Sequence, residues 1–170
     1  MTTPSKNTAL TDPTNFKEIL DIIEDSDRVY ICGNGGSAVN ASHLSMHFPN
    51  MICLTDNVAT MIAFANDLCF EDIFVQQLRN LVNPGDVVVG ISASGNSANV
   101  VKGIEYAKKC GAETIGFLGF KTGGKLHDLV DYEITVQDEH YGRSEDVHLM
   151  IVHLITNYLT EELKNKAKII

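Results

Sequence analysis

The chain lacks several features that would place it in common classes of protein. None of its apolar runs is as long as a membrane-spanning helix, and residues 1–13 have no apolar centre like that of a secretory signal. Basic residues are scarce, because 13 Lys and Arg stand against 22 Asp and Glu, which gives a net charge of -9. The sequence therefore predicts a cytoplasmic protein that neither crosses a membrane nor binds nucleic acid as its main partner.

Cysteine is also rare, and its spacing excludes a simple metal or redox motif. The four cysteines, Cys32, Cys53, Cys69 and Cys110, include no Cys-x-x-Cys pair. Cys32 and Cys53 lie in apolar, strand-like runs, where a cysteine ordinarily serves as a small buried side chain. The chain has no internal repeat and no low-complexity linker, and its 170 residues predict one compact domain.

The chain does contain a regular alternation of apolar strands and helices. Strands are predicted at 28–32, 52–54, 87–91, 113–118 and 132–136, and helices at 14–25, 37–48, 57–65, 71–81, 97–110 and 144–165. Such an alternation is typical of an α/β fold, in which helices cover both faces of a parallel sheet. Ligands of these sheets bind beyond the carboxyl ends of the strands, and we expect the functional residues there.

Two loops rich in glycine and serine follow predicted strands and open predicted helices. The first is Gly33-Asn34-Gly35-Gly36-Ser37, and the second is Ser92-Ala93-Ser94-Gly95-Asn96-Ser97. Loops of this kind direct backbone N–H groups and hydroxyls toward an anion, with the positive end of a helix dipole behind them. Each loop alone could be a tight turn, with Ser97 capping its helix, and neither matches a dinucleotide or nucleoside triphosphate motif. Together they predict a phosphorylated small molecule as the ligand.

Histidines and a glutamate form a second pattern. His43 and His47 are four residues apart in a predicted helix, so both rings would project from one face, as metal ligands do. The last predicted helix carries Glu145, His148 and His153. His153 lies in an apolar stretch, which predicts a buried ring that needs a polar partner. A metal site and ordinary surface or core histidines both remain open from spacing alone.

Both loops and two further segments resemble the SIS (sugar isomerase) domain family, and its phosphoheptose isomerase branch in particular. The second loop with its flanks, 87–100, is similar to the family's phosphate loop. The further segments are Ala65-Asn66-Asp67 followed by Phe70-Glu71-Asp72-Ile73-Phe74, and Gly123-Gly124-Lys125. The resemblance covers residues 28–160. It implies one SIS domain at 28–165 after an N-terminal segment with a short helix at 1–27. It also implies a flavodoxin-like, five-stranded parallel sheet and a homotetramer with active sites at subunit boundaries.

The resemblance further implies the residues that bind a phosphorylated sugar and a metal. The family's phosphate contacts fall on Ser37, Ser92, Ser94 and Ser97, and Asn34 and Asp67 are expected at the same site. Asp67 could instead cap the next helix. A divalent metal, zinc or another cation, would be held by His43, His47, Glu145 and His153, with His148 as a rival ligand on the last helix.

Some positions depart from the family, and the departures bear on the acid and base. His47 stands where the family has a glutamate, Glu145 where it has a glutamine, and Gly142 where it has an aspartate. A family arginine after the first helix of the domain has no counterpart. The catalytic residues implied are His153 together with Glu145 or His47, which would move a proton between C1 and C2 through an enediol.

The function expected from these observations is metal-dependent aldose–ketose isomerisation of a sugar phosphate. Conversion of sedoheptulose 7-phosphate to D-glycero-heptose 7-phosphate is the leading case. Two alternatives stay open at this point. One is an isomerase or epimerase of another phosphosugar, and the other is a non-catalytic scaffold of the same fold that binds a replication initiator.

Overall fold

A five-stranded parallel sheet forms the centre of the computed structural model, which describes residues 13–167. The sheet has the order β2-β1-β3-β4-β5, and each neighbouring pair is parallel. Its strands are β1 (Val29–Gly33), β2 (Met51–Cys53), β3 (Val87–Ser92), β4 (Glu113–Leu118) and β5 (Tyr132–Thr135). The flavodoxin-like α/β fold predicted from the sequence is confirmed. Because strand order reverses between β1 and β3, the two glycine- and serine-rich loops emerge side by side.

The helices of the described residues are α1 (Pro13–Asp25), α2 (Gly36–Ser45), α3 (Val58–Asp67), α4 (Ile73–Leu78), α5 (Ala98–Lys109), α6 (Gly124–His127) and α7 (Tyr141–Ala167). Two predicted helices differ from the structure. The helix predicted at 71–81 is a 3-10 turn, Phe70–Asp72, followed by the short α4. The helix predicted at 37–48 ends at Ser45, which places His47 in the turn that follows.

The core has two layers because alternate residues of each strand face opposite sides of the sheet. Val87, Val89 and Ile91 of β3 pack with residues of α1, α2 and α7, whereas Val88 packs on the side of α4 and α5. The helix predicted at 14–25 is confirmed as α1, and it packs on the sheet through buried Ile19, Leu20 and Ile23.

The interior cysteines are small core side chains, as the sequence predicts. Cys32 and Cys53 are both buried, on adjacent strands. Burial raises the pKa of the Cys32 thiol far above its usual value, which keeps the thiol protonated.

None of the helices within residues 13–167 combines the length and hydropathy needed to cross a bilayer.

Candidate functional site

The first and second loops are joined where they leave the sheet. Gly33 of β1 lies opposite Ile91 of β3, so both loops start at the same edge. The Asn34 amide donates to Asn99 Oδ1 at 2.9 Å, and the Asn99 amide donates back to Asn34 Oδ1 at 2.8 Å. This reciprocal pair fastens the first loop to the start of α5, so the two loops form one rigid surface.

The second loop is held in a tight turn by its own hydroxyls. Ser92 Oγ accepts a hydrogen bond from the Gly95 N–H at 3.2 Å and lies 3.2 Å from Ser97 Oγ. Ser94 Oγ accepts from the Asn96 N–H at 3.2 Å. Ser97 occupies the N-cap position of α5, but its side chain makes no capping bond, contrary to the sequence prediction, because the hydroxyl faces Ser92.

Gly95 is the residue that lets this loop lie close to its neighbour. Its φ of 62° is left-handed, and a Cβ there would collide with the carbonyl of Gly123. The first-turn N–H groups of α5 have no intrahelical acceptor, so hydroxyls and amides converge beside the positive end of this helix. Such a surface suits one phosphate group.

Glu145 approaches the same edge from α7. Its carboxylate packs against Gly36, the first residue of α2, where any Cβ would overlap the carboxyl oxygens. Asn40 Nδ2 donates to the Glu145 carbonyl at 2.9 Å and fixes the register of the two helices. A carboxylate at the start of a helix is stabilised by the helix dipole. Because Gly36 precedes Ser37, Glu145 is beside a buried residue of the predicted phosphate site.

Three imidazole rings lie close together about two helical turns after Gly36, near the end of α2. His153 Nε2 lies 3.1 Å from His43 Nε2, and the ring centroids of His43 and His47 are 5.3 Å apart. The His43 pKa is lowered, first by burial and then by the neighbouring His153 and His47 rings. The expectation that His153 would be buried is wrong, because its ring is exposed on the outer face of α7.

The buried histidine of α7 is His148. Its Nε2 donates to the carbonyl of Leu118 at 2.9 Å, while Nδ1 is the one buried side-chain nitrogen or oxygen of the described residues without a hydrogen-bond partner. His148 thus holds α7 against the end of β4 and is not part of the group formed by His43, His47 and His153.

The predicted metal ligands are only partly brought together. Two zinc-bound nitrogens at about 2.0–2.1 Å in tetrahedral geometry would lie about 3.3 Å apart, close to the separation of His43 and His153. The separation of the His43 and His153 nitrogens therefore fits a shared cation. The lowered pKa of His43 fits it too, because it favours the neutral ring that a metal needs. Glu145, however, precedes His153 by two helical turns, roughly 12 Å along α7. Within residues 13–167, no three His, Cys, Asp or Glu side chains have the arrangement of a complete metal site.

Asp67 lies apart from these groups as the exposed last residue of α3. Its Oδ1 accepts from Asn66 Nδ2 at 2.9 Å, and Cys69, not Asp67, precedes the following 3-10 turn. The alternative that Asp67 caps the next helix is therefore wrong. A contact between Asp67 and the sugar stays a prediction.

Sequence reasoning missed Asn99 and Asn40, which position the site from behind. Both are buried and both donate to a residue more than 60 positions away. Asn99 lies in the first turn of α5 and Asn40 in the middle of α2, where a polar residue on a buried face is the only signal in the sequence.

Comparison with known proteins gives a consistent result. A family model described as the SIS domain matches residues 15–119. The phosphoheptose isomerase of Crocosphaera subtropica is 39% identical over 151 residues, covering 83% of this chain and 76% of that protein. The probable phosphoheptose isomerase of Thermoplasma acidophilum is 37% identical over 155 residues, covering 85% of each.

Solved structures agree with these relatives. The phosphoheptose isomerase GmhA from Neisseria gonorrhoeae superposes with a TM-score of 0.84 and 28% identity, covering 88% of this chain and 86% of that chain. A phosphoheptose isomerase from Francisella tularensis gives a TM-score of 0.82 at the same identity and coverage.

Proposed function

The chain belongs to the SIS-domain family, in its phosphoheptose isomerase branch, and we propose that it interconverts sedoheptulose 7-phosphate and a D-glycero-heptose 7-phosphate. Its general activity is that of a sugar-phosphate isomerase. The observation that carries the finer proposal is the joined pair of loops, with Glu145 at one end of α2 and three imidazoles at the other.

The phosphate would bind at the second loop. Hydroxyls of Ser92, Ser94 and Ser97, with Ser37 from α2, offer donors that suit three phosphate oxygens without any lysine. Asn34 would act by holding the two loops together, because its amide is already bonded to Asn99.

The length of α2 supports a long sugar chain. His43 follows Gly36 by seven residues, which is about 10 Å along a helix. An extended seven-carbon phosphate ester has a comparable reach, so a substrate anchored by its phosphate would extend along α2 with C1 and C2 between Glu145 and the imidazoles. A triose phosphate would be too short to do so.

Proton transfer would use Glu145, because the three imidazoles, including His153, would hold the metal. A carboxylate is suited to exchange protons near neutral pH, and the reaction moves one proton between C1 and C2 through an enediol. Of the two bases that the sequence leaves open, we favour Glu145, since His47 belongs to the imidazole group. His47 would then be a metal ligand.

A divalent cation, with zinc as the first candidate, would be held by His43, His47 and His153. When bound, it would stabilise the negative charge that develops on the substrate oxygens. The lowered pKa of His43 supports this proposal, because only a neutral imidazole can donate a lone pair.

We also propose that the chain assembles as a homotetramer whose subunit contacts border this site. Exposed apolar side chains lie on α2, directly after it and on α7, and each is more than half exposed: Val39, Met46, Met150 and Leu154. Large exposed apolar side chains grouped on two packed helices are more typical of a protein contact than of a free surface.

The test is activity on a panel of phosphosugars with five, six and seven carbons, assayed with zinc present. The proposal predicts the highest kcat/KM for sedoheptulose 7-phosphate. A higher kcat/KM for a pentose or hexose phosphate would overturn the heptose assignment and favour an isomerase of that other sugar.

A further inference from the structure

A cavity opens beside the second loop, at residues other than those of the site described above. It has a volume of about 970 Å³ and lies between this loop, the turn before α6 and the end of β5. Every side chain that lines it is polar, and they include Asn96, Lys121, Lys125, His127, Glu133 and Thr135. Ser37, Ser92, Ser94 and Ser97 are not part of its wall.

The floor of the cavity is a preorganised polar chain. Thr135 Oγ1 donates to Glu133 Oε1 at 3.1 Å, and His127 Nδ1 lies 2.8 Å from Glu133 Oε2. The Glu133 side chain is only 8% exposed, and that of His127 is 31% exposed. A buried carboxylate is costly unless it is paired, and this one is held by two partners. The pairing fixes Nδ1 as the donor and leaves His127 Nε2 for a ligand.

The chemistry of the wall selects a particular class of ligand. The amides, hydroxyls, carboxylates and one imidazole of the wall offer several hydrogen-bonding groups, which suits a ligand with many hydroxyls. Lys125 supplies positive charge at the rim for an anionic group, together with Lys121, whose Nζ lies 3.5 Å from Glu139 Oε1 in an exposed ion pair. The carboxylates of Asp128 and Glu133 accept hydrogen bonds from hydroxyl groups and disfavour a ligand with many negative charges.

We propose that this cavity binds a second phosphosugar or a similar polyol that carries one phosphate. This site would be separate from the isomerase site, and a ligand bound there would not react. It adjoins the phosphate loop through short contacts: the Lys125 N–H donates to Asn96 Oδ1 at 3.1 Å, and the Leu126 N–H donates to the Gly95 carbonyl at 3.0 Å. A ligand bound in the cavity would therefore lie next to the loop that binds the substrate phosphate.

The experiment is equilibrium dialysis of the full chain with sorbitol 6-phosphate, which has no carbonyl and cannot be isomerised. We expect two molecules bound per chain. Ser94→Ala should weaken binding at the second loop, and the double variant Lys121→Ala and Lys125→Ala should weaken binding in the cavity, so that each variant loses one molecule at concentrations that just saturate the parent. Each exposed lysine contributes modestly, so we expect the cavity to weaken by about tenfold when both are removed.

The control variant is Lys109→Ala, an exposed lysine at the end of α5, which should still bind two molecules. One molecule per chain that is lost in Ser94→Ala and kept in the lysine double variant would overturn the cavity proposal. One molecule that is kept in Ser94→Ala and lost in the double variant would support the cavity and contradict the proposed phosphate site.

Discussion

Ser94 carries the most direct test at the scale of single residues. Its side chain is half-buried, whereas Ser92 and Ser37 are buried, and its Oγ is bonded within the loop only to the Asn96 N–H. Ser94→Ala should raise KM for the sugar phosphate about tenfold to a hundredfold, the range expected for a hydrogen bond to a charged group. Because the phosphate is bound equally in ground and transition states, kcat should change little.

Steady-state kinetics of Ser94→Ala against Ser26→Ala measures this effect. Ser26 has a comparable hydroxyl that donates to the Ile23 carbonyl; it lies before β1, whereas the two loops follow the carboxyl ends of β1 and β3. An unchanged KM in Ser94→Ala, or an equal rise in both variants, would contradict a phosphate contact at this residue.

At the scale of elements, the Asn34–Asn99 pair couples the loop before α2 to the start of α5. Removing one amide leaves the other without its partner, at a cost of about 1–3 kcal/mol in the free energy of unfolding. Removing both should cost less than the sum of the two single changes. A double-mutant cycle of Asn34→Ala and Asn99→Ala by urea denaturation measures the difference. Strictly additive losses would show that the reciprocal bonds contribute nothing.

A second prediction at this scale concerns the docking of α7 onto β4. Burial lowers the pKa of His148 from its usual 6.5, so below that value the unfolded chain binds a proton more readily than the folded chain. The contribution of His148 to stability is complete above pH 6.5. It decreases as the pH falls from 6.5 through the lowered pKa of the folded state.

Urea denaturation of metal-free protein between pH 5 and pH 8 tests this, with His148→Gln compared to the exposed His140→Gln. The loss of stability toward acid should be smaller in His148→Gln than in the parent. It should not vanish, since the His43 pKa is also lowered. An acid profile that is identical in His148→Gln and the parent would contradict the assignment.

At the scale of the whole molecule, the exposed apolar faces of α2 and α7 predict assembly. Charged residues on those faces would be desolvated by a subunit contact, so Met150→Glu with Leu154→Glu should shift the protein from tetramers toward smaller species. Light scattering coupled to size-exclusion chromatography measures the mass directly. A parent protein that is monomeric at micromolar concentration would contradict the tetramer.

The sequence predicts the fold more completely than it predicts the site. Continuous apolar runs and the glycine and serine punctuation predicted all five strands, because buried parallel strands leave a strong local signal. The site depends on which face of a long helix turns inward, and here the sequence misled: His148 is buried and His153 is exposed. α7 carries apolar side chains around much of its circumference, such as exposed Met150 and buried Ile151, so its pattern does not identify the inner face.

The sequence also could not predict how Glu145 and the imidazoles are arranged around α2. Their separation along α7 follows from the rise of the helix, but the contact of Glu145 with Gly36 depends on tertiary packing. The cytoplasmic location and the domain boundaries at 27 and 28 stay predictions from the sequence.

The central claim is that Glu145 transfers a proton on a phosphosugar that is held by the two joined loops. Incubation with sedoheptulose 7-phosphate and zinc in deuterated water, followed by proton NMR, tests it most directly. The account predicts one deuteron incorporated next to the carbonyl by the parent protein, at a rate reduced about a hundredfold or more in Glu145→Gln. Asp146→Asn, its exposed neighbour, should match the parent. Exchange at the parent rate in Glu145→Gln, or no exchange by the parent protein, would contradict it.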